Sequence, residues 1–340
     1  MVRSEGETPT LDQVARLAGV SKATASRAVN GGARVSPQAQ AAVDDAVRRL
    51  GFIPNAAARS LVTRRTGSVG LIVPESDERI FADPFFARML HVVMRSVKAH
   101  DLQLVLMLTQ PGEEEQRLMR YLRGRCVDGV VVASHRRGDR LAESLAELGL
   151  PTVFIGSPWT STDRVSIVES DGVGAGRQAA RLLIDRGCRA LGTIAGPADM
   201  HVGHDRLEGW RQELSEAGLV VDAVVHGDFT EVGGARACSV LLDEFPGIDG
   251  IFAASDLMAA GAVRELTARG RRVPEDVAVV GYDDLGIAER TDPPLTTFRN
   301  PIGVMATEAI RLLAQRIDEG PGEPPRRIVF APELVRRASA

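Results

Sequence analysis

Side chains that can bond to the edges of DNA bases cluster in one short stretch, LDQVARLAGVSKATASRAVN, at residues 11–30. Arg27 can donate two hydrogen bonds to guanine, Lys22 is a second cation, and Ala23 can contact the methyl group of thymine. Three short polar side chains suited to phosphate oxygens lie beside them: Thr24, Ser26 and Asn30. The stretch therefore indicates contact with double-stranded DNA.

A second group of residues could bind a small polyhydroxylated molecule. Arg206 carries a fork of N–H donors, and the carboxylate of Asp283 can accept two hydrogen bonds from hydroxyl groups. Phe85, Phe86 and Trp159 could lie against the C–H faces of a sugar ring, although a tryptophan in this setting equally serves internal packing. These residues lie far apart in the chain, so the fold has to bring them together.

Three short helices are expected to position the first group. Thr10 can cap the first helix, Gly19 permits a tight turn, and Ser21 can cap the second. Ser36 followed by Pro37 predicts the start of the third helix. The predicted inward residues are Leu11, Val14, Ala15, Ala25, Ala28, Val43, Val47 and Leu50. Two helices around a glycine turn, backed by a third, form a helix-turn-helix unit, whose second helix enters the major groove.

The charge of the chain is divided unevenly. Residues 1–66 hold ten Lys and Arg against five Asp and Glu, whereas the remainder holds 31 against 40. A basic front on an acidic body suggests an anionic partner for the front alone. Three scattered cysteines form no pair motif and predict a reduced, cytoplasmic setting. No apolar run is long enough to span a membrane, and no secretion signal is expected at the N-terminus.

The segment between the front and the body has two possible roles. Asn55 can cap a helix of about eight residues, which is too short to be stable alone and would order only against a partner. Leu61 could then act as an apolar wedge in the minor groove, while Arg59 contacts phosphate. The alternative is a plain linker, which the residues by themselves favour.

Strand-like runs alternate with helical patterns through the body. The runs are SVGLIVP, LQLVLML, VDGVVVAS, PTVFIG, ALGTIAG, VVHGDF, GIFAAS and VAVVGYDD. This alternation predicts parallel sheets with helices on both faces, and eight strands suggest two α/β lobes. Ligands of such sheets lie beyond the carboxyl ends of the strands, so we expect the second group of residues to meet in a cleft between the lobes.

The chain resembles the LacI/GalR family of bacterial transcription regulators. The likeness runs from LDQVARLAGVSKATASRAVN through NAAARSL and continues in RLEGW, SDLMAAGAVREL, VAVVGYDD and PPLTTFRNP. It implies an all-α helix-turn-helix head and a body of two lobes like those of periplasmic sugar-binding proteins, joined by three chain crossings. The resemblance places the crossings near residues 160–165, 290–297 and 325.

The resemblance also assigns roles to residues of the head and the hinge. The second helix reads the major groove, Leu61 enters the central minor groove, and Ala58 lies where the hinge helices of a dimer touch. The expected DNA-binding residues are Thr10, Leu11, Ser21, Lys22, Ala23, Thr24, Ser26, Arg27, Asn30, Asn55, Ala58, Arg59 and Leu61.

In the body, the resemblance assigns contacts with the effector to the arginine of RLEGW and to the first aspartate of GYDD. The expected effector-binding residues are Phe85, Phe86, Ser134, Trp159, His201, Arg206, Ser255, Asp256 and Asp283. Ser255 stands where many relatives have asparagine, and Gly156 replaces an aspartate of some sugar-responsive relatives. Asp256 has the alternative role of capping the helix that follows it.

Other chemistry is disfavoured. In DGVGAGRQ, Arg177 occupies the third glycine position of a nucleotide fingerprint, so no nucleotide cofactor is expected. The pair His201 and His204 is a weak metal motif without a third strong ligand, and no metal is expected. The sequence has no P-loop, no GxSxG and no CxxC, which disfavours an enzyme. A transport protein would leave the basic front unexplained, and an architectural DNA protein would leave the cleft unexplained.

We therefore expect a DNA-binding head at 1–54, a hinge at 55–66 and a body at 67–340. The lobes are expected at about 67–163 with 295–325, and at about 164–294 with 326–340. The expected function is repression of carbohydrate genes by a cytoplasmic homodimer on a pseudo-palindromic operator, released by a mono- or oligosaccharide. A corepressor regulator that responds to a metabolite other than a sugar is the alternative. No membrane partner is expected.

Overall fold

The chain divides into two compact units. Their bounds are Met1–Thr66 and Gly67–Ala340. The computed structural model describes residues 9–30, 35–53, 65–110, 113–160, 162–219, 221–320 and 324–340. Each unit is described by itself below.

The first unit, here called the head, contains three helices: α1 (Leu11–Ala18), α2 (Lys22–Val29) and α3 (Pro37–Leu50). All three begin at the predicted caps. Thr10 forms a capping box with Gln13, since Thr10 Oγ1 accepts from Gln13 N and Gln13 Oε1 accepts from Thr10 N at 2.8 Å. Gly19 ends α1 with φ of 66°, the left-handed conformation that the turn requires. The predicted helix-turn-helix is confirmed.

A small apolar core holds the three helices of the head together. Its buried members are Val14, Ala15, Ala25, Ala28, Val43 and Ala46. Leu11, Val47 and Leu50 pack against this core while staying partly exposed. Four alanines among six buried residues let the helices approach closely, which fixes the face that α2 presents outward.

The body contains two sheets of six strands each within the described residues. The first has the order β11-β5-β4-β3-β1-β2 and is parallel throughout. Its strands are β1 (Ser68–Val73), β2 (Gln103–Leu108), β3 (Gly129–Ala133), β4 (Thr152–Ile155), β5 (Ser166–Ser170) and β11 (Arg327–Phe330). Apolar clusters lie on both faces of this sheet, one under the helices at Pro84–Ala99 and Ile302–Glu319, the other under the helices at Glu113–Arg123 and Leu141–Leu148.

The second sheet has the order β12-β10-β9-β8-β6-β7, parallel except for the pair β10 and β12. Its strands are β6 (Leu191–Ala195), β7 (Val224–His226), β8 (Gly250–Ala253), β9 (Ala278–Asp283), β10 (Thr296–Arg299) and β12 (Glu333–Val335). Apolar clusters again cover both faces. The α/β architecture predicted from the alternating runs is confirmed.

Nine helices of the body flank these sheets in the described ranges. They are α4 (Asp77–Ala82), α5 (Pro84–Ala99), α6 (Glu113–Arg123), α7 (Leu141–Leu148), α8 (Gly172–Arg186), α9 (His201–Glu216), α10 (Glu231–Glu244), α11 (Asp256–Ala268) and α12 (Ile302–Glu319). Asp171 caps α8 by accepting from Gly174 N at 2.7 Å, so DGVGAGRQ is a loop into a helix. Of the helices described, none is long and apolar enough to cross a membrane.

The chain passes between the two lobes later than the sequence predicted. β5 still belongs to the first sheet, and the chain enters the second lobe only after Ser170. The return follows β10, which ends at Arg299, and the last passage lies between β11 and β12. The expected crossings at 160–165, 290–297 and 325 are therefore wrong. The short strands beside the crossings are β5, β10 and β11, and the apolar runs of the sequence did not predict them.

Candidate functional site

The outer face of α2 carries the residues predicted to read DNA. Lys22, Ala23 and Arg27 are exposed on one side of the helix, while Ala25 and Ala28 are buried on the other. Arg27 Nε donates to Ala23 O at 3.2 Å, and Lys22 Nζ lies 2.9 Å from Asp12 Oδ2. The ion pair of Lys22 was not predicted. It is exposed and contributes little to stability, so it leaves Lys22 able to bond elsewhere.

The remaining predicted residues of the head have structural bonds as well. Ser21 Oγ accepts from Thr24 N at 3.1 Å, and Thr24 Oγ1 lies 2.8 Å from Ser21 Oγ. Asn30 ends α2 and donates to Ser26 O at 2.8 Å. Thr10 is exposed, whereas Leu11 is half-buried on the core. The predicted hinge residues lie outside the described part of the chain: Asn55, Ala58, Arg59 and Leu61.

In the body, the carboxyl ends of the strands from both sheets surround a cavity. Its empty space, including its opening to solvent, is about 740 Å³. Seven of the nine predicted effector-binding residues line it: Phe85, Phe86, Ser134, His201, Arg206, Ser255 and Asp283. The structure thus brings together residues that the sequence separates by almost two hundred positions, as the crevice rule for parallel sheets leads one to expect.

Arg206 is held in place from two sides. It lies on α9 and is 5% exposed. Nη1 donates to Ala254 O at 2.6 Å, and the guanidinium carbon lies 3.5 Å from the ring centre of Tyr282, a cation–π contact. Nε is buried and has no hydrogen-bond partner among the described residues. A fixed donor without a partner beside a cavity can bond to a ligand oxygen.

Asp283 supplies the matching acceptor at the end of β9. Its backbone has φ of 125°, and Asn300 Nδ2 donates to its Oδ1 at 3.2 Å. Burial raises the pKa of Asp283 to about 8, and the neighbouring carboxylates of Asp256 and Asp83 add to the rise, while Arg206 opposes it. A hydroxyl donor would stabilise the charged form of this carboxyl group.

Two further buried polar residues add acceptors to the free donor of Arg206, so the site suits a ligand that both donates and accepts. Asn300 Oδ1 and His135 Nδ1 lack partners in the described ranges, and both residues line the cavity. Burial lowers the pKa of His135 to about 4, so its ring is neutral at pH 7. Its Nε2 then donates to Ser157 O, which leaves Nδ1 as an acceptor. Hydroxyl groups satisfy such a mixture of donors and acceptors.

Aromatic rings from both lobes flank these polar groups. Phe85 and Phe86 of α5 meet edge to face at 5.3 Å, and Phe229 lines the cavity from the second lobe. Arg79 lies between the lobes, 5.9 Å from the ring centre of Phe86 and 5.3 Å from that of Phe229. Flat apolar walls with a few polar groups between them suit the C–H faces and hydroxyl rim of a sugar.

Two predicted effector-binding residues lie away from the cavity wall. Trp159 Nε1 donates to Asp199 O at 2.9 Å, and its ring lies 4.8 Å from that of His201. Asp256 is buried, and its carboxylate accepts from Thr297 Oγ1 at 2.6 Å and from Asp284 N at 2.7 Å. The helix cap is Ser255, which accepts from Met258 N at 3.2 Å. Asp256 therefore fixes the loop after β9 and does not cap α11.

Several lining residues were absent from the sequence-based prediction. They are Arg79, Asp83, His135, Ile155, Gly156, Ser170, Met200, Val202, Phe229, Asn300 and Met305. Phe229 follows the strand-like run VVHGDF, so the strand-end rule could have found it. Arg79 lies on α4 and carries no such signal, and Asn300 follows β10, a strand that the apolar runs did not predict.

His201, His204 and Asp205 interact with one another. His201 Nδ1 lies 3.1 Å from Asp205 Oδ2, and His204 Nδ1 lies 3.5 Å from Asp205 Oδ1. The hydrogen bond to Asp205 raises the pKa of His201 above its usual value. Within the described residues, no group of three or more His, Cys, Asp or Glu side chains is arranged to hold a metal ion.

Comparison with known proteins extends over the whole chain. Residues 10–55 match the family described as bacterial regulatory proteins, lacI family, and residues 165–340 match the periplasmic binding protein-like domain. The chain is 46% identical over 333 residues to the HTH-type transcriptional regulator CelR of Thermobifida fusca, covering 97% of this chain and 98% of that one. It is 33% identical to the ribose operon repressor of Escherichia coli K12, covering 97% and 99%.

Solved structures agree with this result. A transcriptional regulator CelR–cellobiose complex is 44% identical, with a TM-score of 0.78 and coverage of 98% of this chain and 100% of that one. The lac repressor dimer bound to operator is 23% identical, with a TM-score of 0.85 and coverage of 98% and 99%, and it shares the fold. The chain therefore belongs to the lacI family of bacterial regulatory proteins, which bind DNA and regulate transcription.

Proposed function

We propose that this protein represses carbohydrate-utilisation genes and releases its operator when a short sugar binds in the cleft. The observation that carries the effector assignment is that Arg206 Nε and Asn300 Oδ1, both without partners in the part of the chain that the structure describes, line one aromatic-walled cavity together with Asp283. Fixed donors and acceptors between apolar rings match vicinal hydroxyl groups on a flat ring. The protein acts in this proposal as a cytoplasmic regulator and not as an enzyme.

The similarity to CelR suggests which sugar to test first. The related regulator is named in complex with cellobiose, a disaccharide of glucose, and its chain is 44% identical to this one. The ribose operon repressors are more distant at 31–33% identity. We therefore propose cellobiose, or a short β-linked glucose oligomer, as the effector.

DNA recognition is proposed to use a homodimer. Two copies of α2 would occupy successive major grooves, so that the symmetry of the dimer matches that of a pseudo-palindromic operator. Arg27, Lys22 and Ala23 would face base edges, while Thr24, Ser26 and Asn30 would contact the backbone. Leu61 would enter the central minor groove, with Ala58 against its symmetry mate and Arg59 on phosphate.

The effector is proposed to act through the two lobes. Sugar bound between Arg206 of the second lobe and Phe85 of the first changes the angle between them, because it contacts both. The hinge then loses the arrangement in which it orders on DNA, and operator affinity falls. Coupling energies of this kind correspond to roughly 5- to 150-fold in affinity.

The test has two stages. A thermal-shift panel of glucose, cellobiose, ribose and purine bases identifies the ligand, and gel retardation of promoter fragments then measures its effect on DNA binding. We expect cellobiose to stabilise the chain and to release one specific fragment. Stabilisation by a purine alone, or tighter DNA binding with the ligand, would support the corepressor alternative instead. A chain that binds no promoter fragment at moderate salt would contradict the whole proposal.

A further inference from the structure

Four residues beside the cavity form contacts between the two lobes. The proposed binding mode does not use these contacts. Arg136 and Arg137 lie after β3 and Trp159 lies after β4, all in the first lobe, while Asp199 follows β6 in the second lobe. We call these four residues the clasp. The contacts of Asp199 with the other three residues therefore join one lobe to the other.

Asp199 is the common partner in the clasp. Arg136 Nη1 donates to both carboxylate oxygens of Asp199, at 3.0 and 2.9 Å. The backbone O of Asp199 accepts from Arg137 N at 2.6 Å and from Trp159 Nε1 at 2.9 Å. Asp199 of the second lobe thus accepts hydrogen bonds from three residues of the first lobe.

The ring of Trp159 connects the clasp to the wall of the cavity. His201 lines the cavity, and its ring lies 4.8 Å from that of Trp159, which itself is not part of the cavity wall. The guanidinium group of Arg137 lies 3.9 Å from the ring centre of Trp159 on a cation–π contact. Trp159 thus contacts His201 of the cavity wall through tilted rings and Arg137 through a cation–π contact.

A buried carboxylate ties the clasp to the cavity wall. Glu75 is 6% exposed and lies 3.3 Å from Arg136 Nη2. Its Oε1 also accepts from Arg79 Nη1 and from Ser134 Oγ, both at 2.7 Å, and these two residues line the cavity. Arg136 is thus held in the orientation that meets Asp199, which makes the clasp a fixed feature of the closed cleft.

We infer that the clasp determines the length of sugar that the protein accepts. A ligand that ends before His201 fits in the cavity and leaves all contacts of the clasp intact. One additional ring on that side must separate Trp159 and Arg136 from Asp199 before it can enter. This inference rests on the proposed sugar effector and identifies Asp199 and Trp159 as specificity-determining residues.

The size of the effect follows from the number of contacts that a longer ligand breaks. It loses one ion pair that is partly exposed, one indole hydrogen bond and the backbone hydrogen bond from Arg137 N, each of modest strength. Their combined loss should weaken binding about tenfold at the first sugar that is too long. Removing one clasp contact by mutation reduces this difference, because that contact is then already absent.

The test measures binding of glucose, cellobiose, cellotriose and cellotetraose to the full chain by titration calorimetry. For the wild type we expect affinity to peak at one length and to fall about tenfold at the next. Asp199→Ala removes the ion pair with Arg136 and keeps the backbone O that accepts from Trp159 and Arg137, so we expect that fall to shrink to about threefold. Trp159→Phe keeps a ring and removes the N–H donor, so it should give an intermediate value.

Arg140→Ala is the matched control, since Arg140 lies in the same loop with an exposed side chain and does not contact Asp199. It should keep the wild-type profile. A wild type with no fall at any length, or an Asp199→Ala variant and a Trp159→Phe variant that both keep the wild-type fall, would overturn the role of the clasp while leaving the sugar effector intact. If no member of the series binds to any variant, the glucose-oligomer effector is wrong, and the clasp loses its role with it.

Discussion

Asp283 combines three features that a surface aspartate does not have. Its backbone has φ of 125°, its side chain receives a hydrogen bond from Asn300, and burial raises its pKa to about 8. The neighbouring loop is held by Asp256, which accepts from Asp284 N. Backbone strain that surrounding bonds maintain is typical of binding sites, and here it aims a carboxylate into the cavity.

Removing this carboxylate should separate sensing from DNA binding. We expect Asp283→Ala to weaken effector binding by about two orders of magnitude, because the ligand hydroxyls and Asn300 Nδ2 lose their shared acceptor. Operator affinity without effector should stay within about twofold of wild type. Calorimetry and gel retardation measure the two quantities. Asp222→Ala, an exposed carboxylate of the same lobe, should change neither. A normal response in Asp283→Ala would move the site elsewhere.

The raised pKa of Asp283 also predicts how effector binding depends on pH. A ligand hydroxyl that donates to the carboxylate favours its charged form, so affinity should increase from pH 6 towards pH 8 and level off above that. In the unliganded chain the free energy of unfolding should decrease over about pH 4 to 8, since the unfolded state loses the proton first.

Asp283→Asn provides the control for this pH dependence. His201, whose pKa is also raised, lines the same cavity and could titrate in this range. A rise in affinity that persists in Asp283→Asn would assign the pH dependence to His201 or another group. Loss of the rise would assign it to Asp283.

At the scale of elements, helices α8 and α9 pack unusually closely. A Cβ atom on Gly176 would lie 2.1 Å from Arg206 O, and one on Gly209 would lie 1.9 Å from Val173 O. Only glycine permits this separation, and α9 carries Arg206 into the cavity. The placement of the guanidinium group therefore depends on two positions that never contact a ligand.

We expect Gly176→Ala to destabilise the body by about 3 kcal/mol, because the two helices must move apart. The folded fraction should also bind effector more weakly, since Arg206 moves with α9. Gly303→Ala is a suitable control: Gly303 lies in α12, nothing is within 4 Å of its added Cβ, and the change should be neutral or slightly stabilising. Urea unfolding and calorimetry measure both effects. Equal stability of the two variants would contradict the close-packing argument.

The elements differ in how well the sequence predicted them. The three helices of the head begin at their predicted caps, since a side-chain oxygen and a helical apolar pattern are local signals. Eight strands were found from their apolar runs. The strands β5, β10, β11 and β12 were missed because each is at most five residues long and carries polar or charged residues (SIVES, TTFR, RIVF and ELV). Pairing with neighbours distant in sequence stabilises them, and a local pattern cannot show such pairing.

The candidate site was predicted unevenly for a similar reason. Arg206 and Asp283 were identified through motifs that resemble a known family, and both line the cavity. Trp159 and Asp256 follow strands as well, yet their polar atoms bond to Asp199, Thr297 and Asp284 instead. Which side of a strand end faces the cleft depends on tertiary contacts. The DNA-binding and effector-binding roles of the predicted residues stay predictions.

At the scale of the whole molecule, the proposed switch obeys reciprocity. If effector lowers operator affinity by some factor, operator DNA must lower effector affinity by the same factor, expected to be roughly 5- to 150-fold. Effector titrations with and without saturating operator, compared with operator titrations with and without effector, give the two numbers. Two factors that differ beyond experimental error would mean that additional states, such as dissociated dimers, take part.

The three lobe crossings lie side by side. β5 and β11 are neighbours at one edge of the first sheet, and β10 and β12 are neighbours at one edge of the second. Every peptide link between the halves of the body therefore runs through one narrow strip. Three adjacent chain segments resist twisting and sliding of one lobe against the other but allow rotation about the line that they share. We therefore expect the two lobes to rotate about this strip, so that a single opening angle describes the state of the cleft.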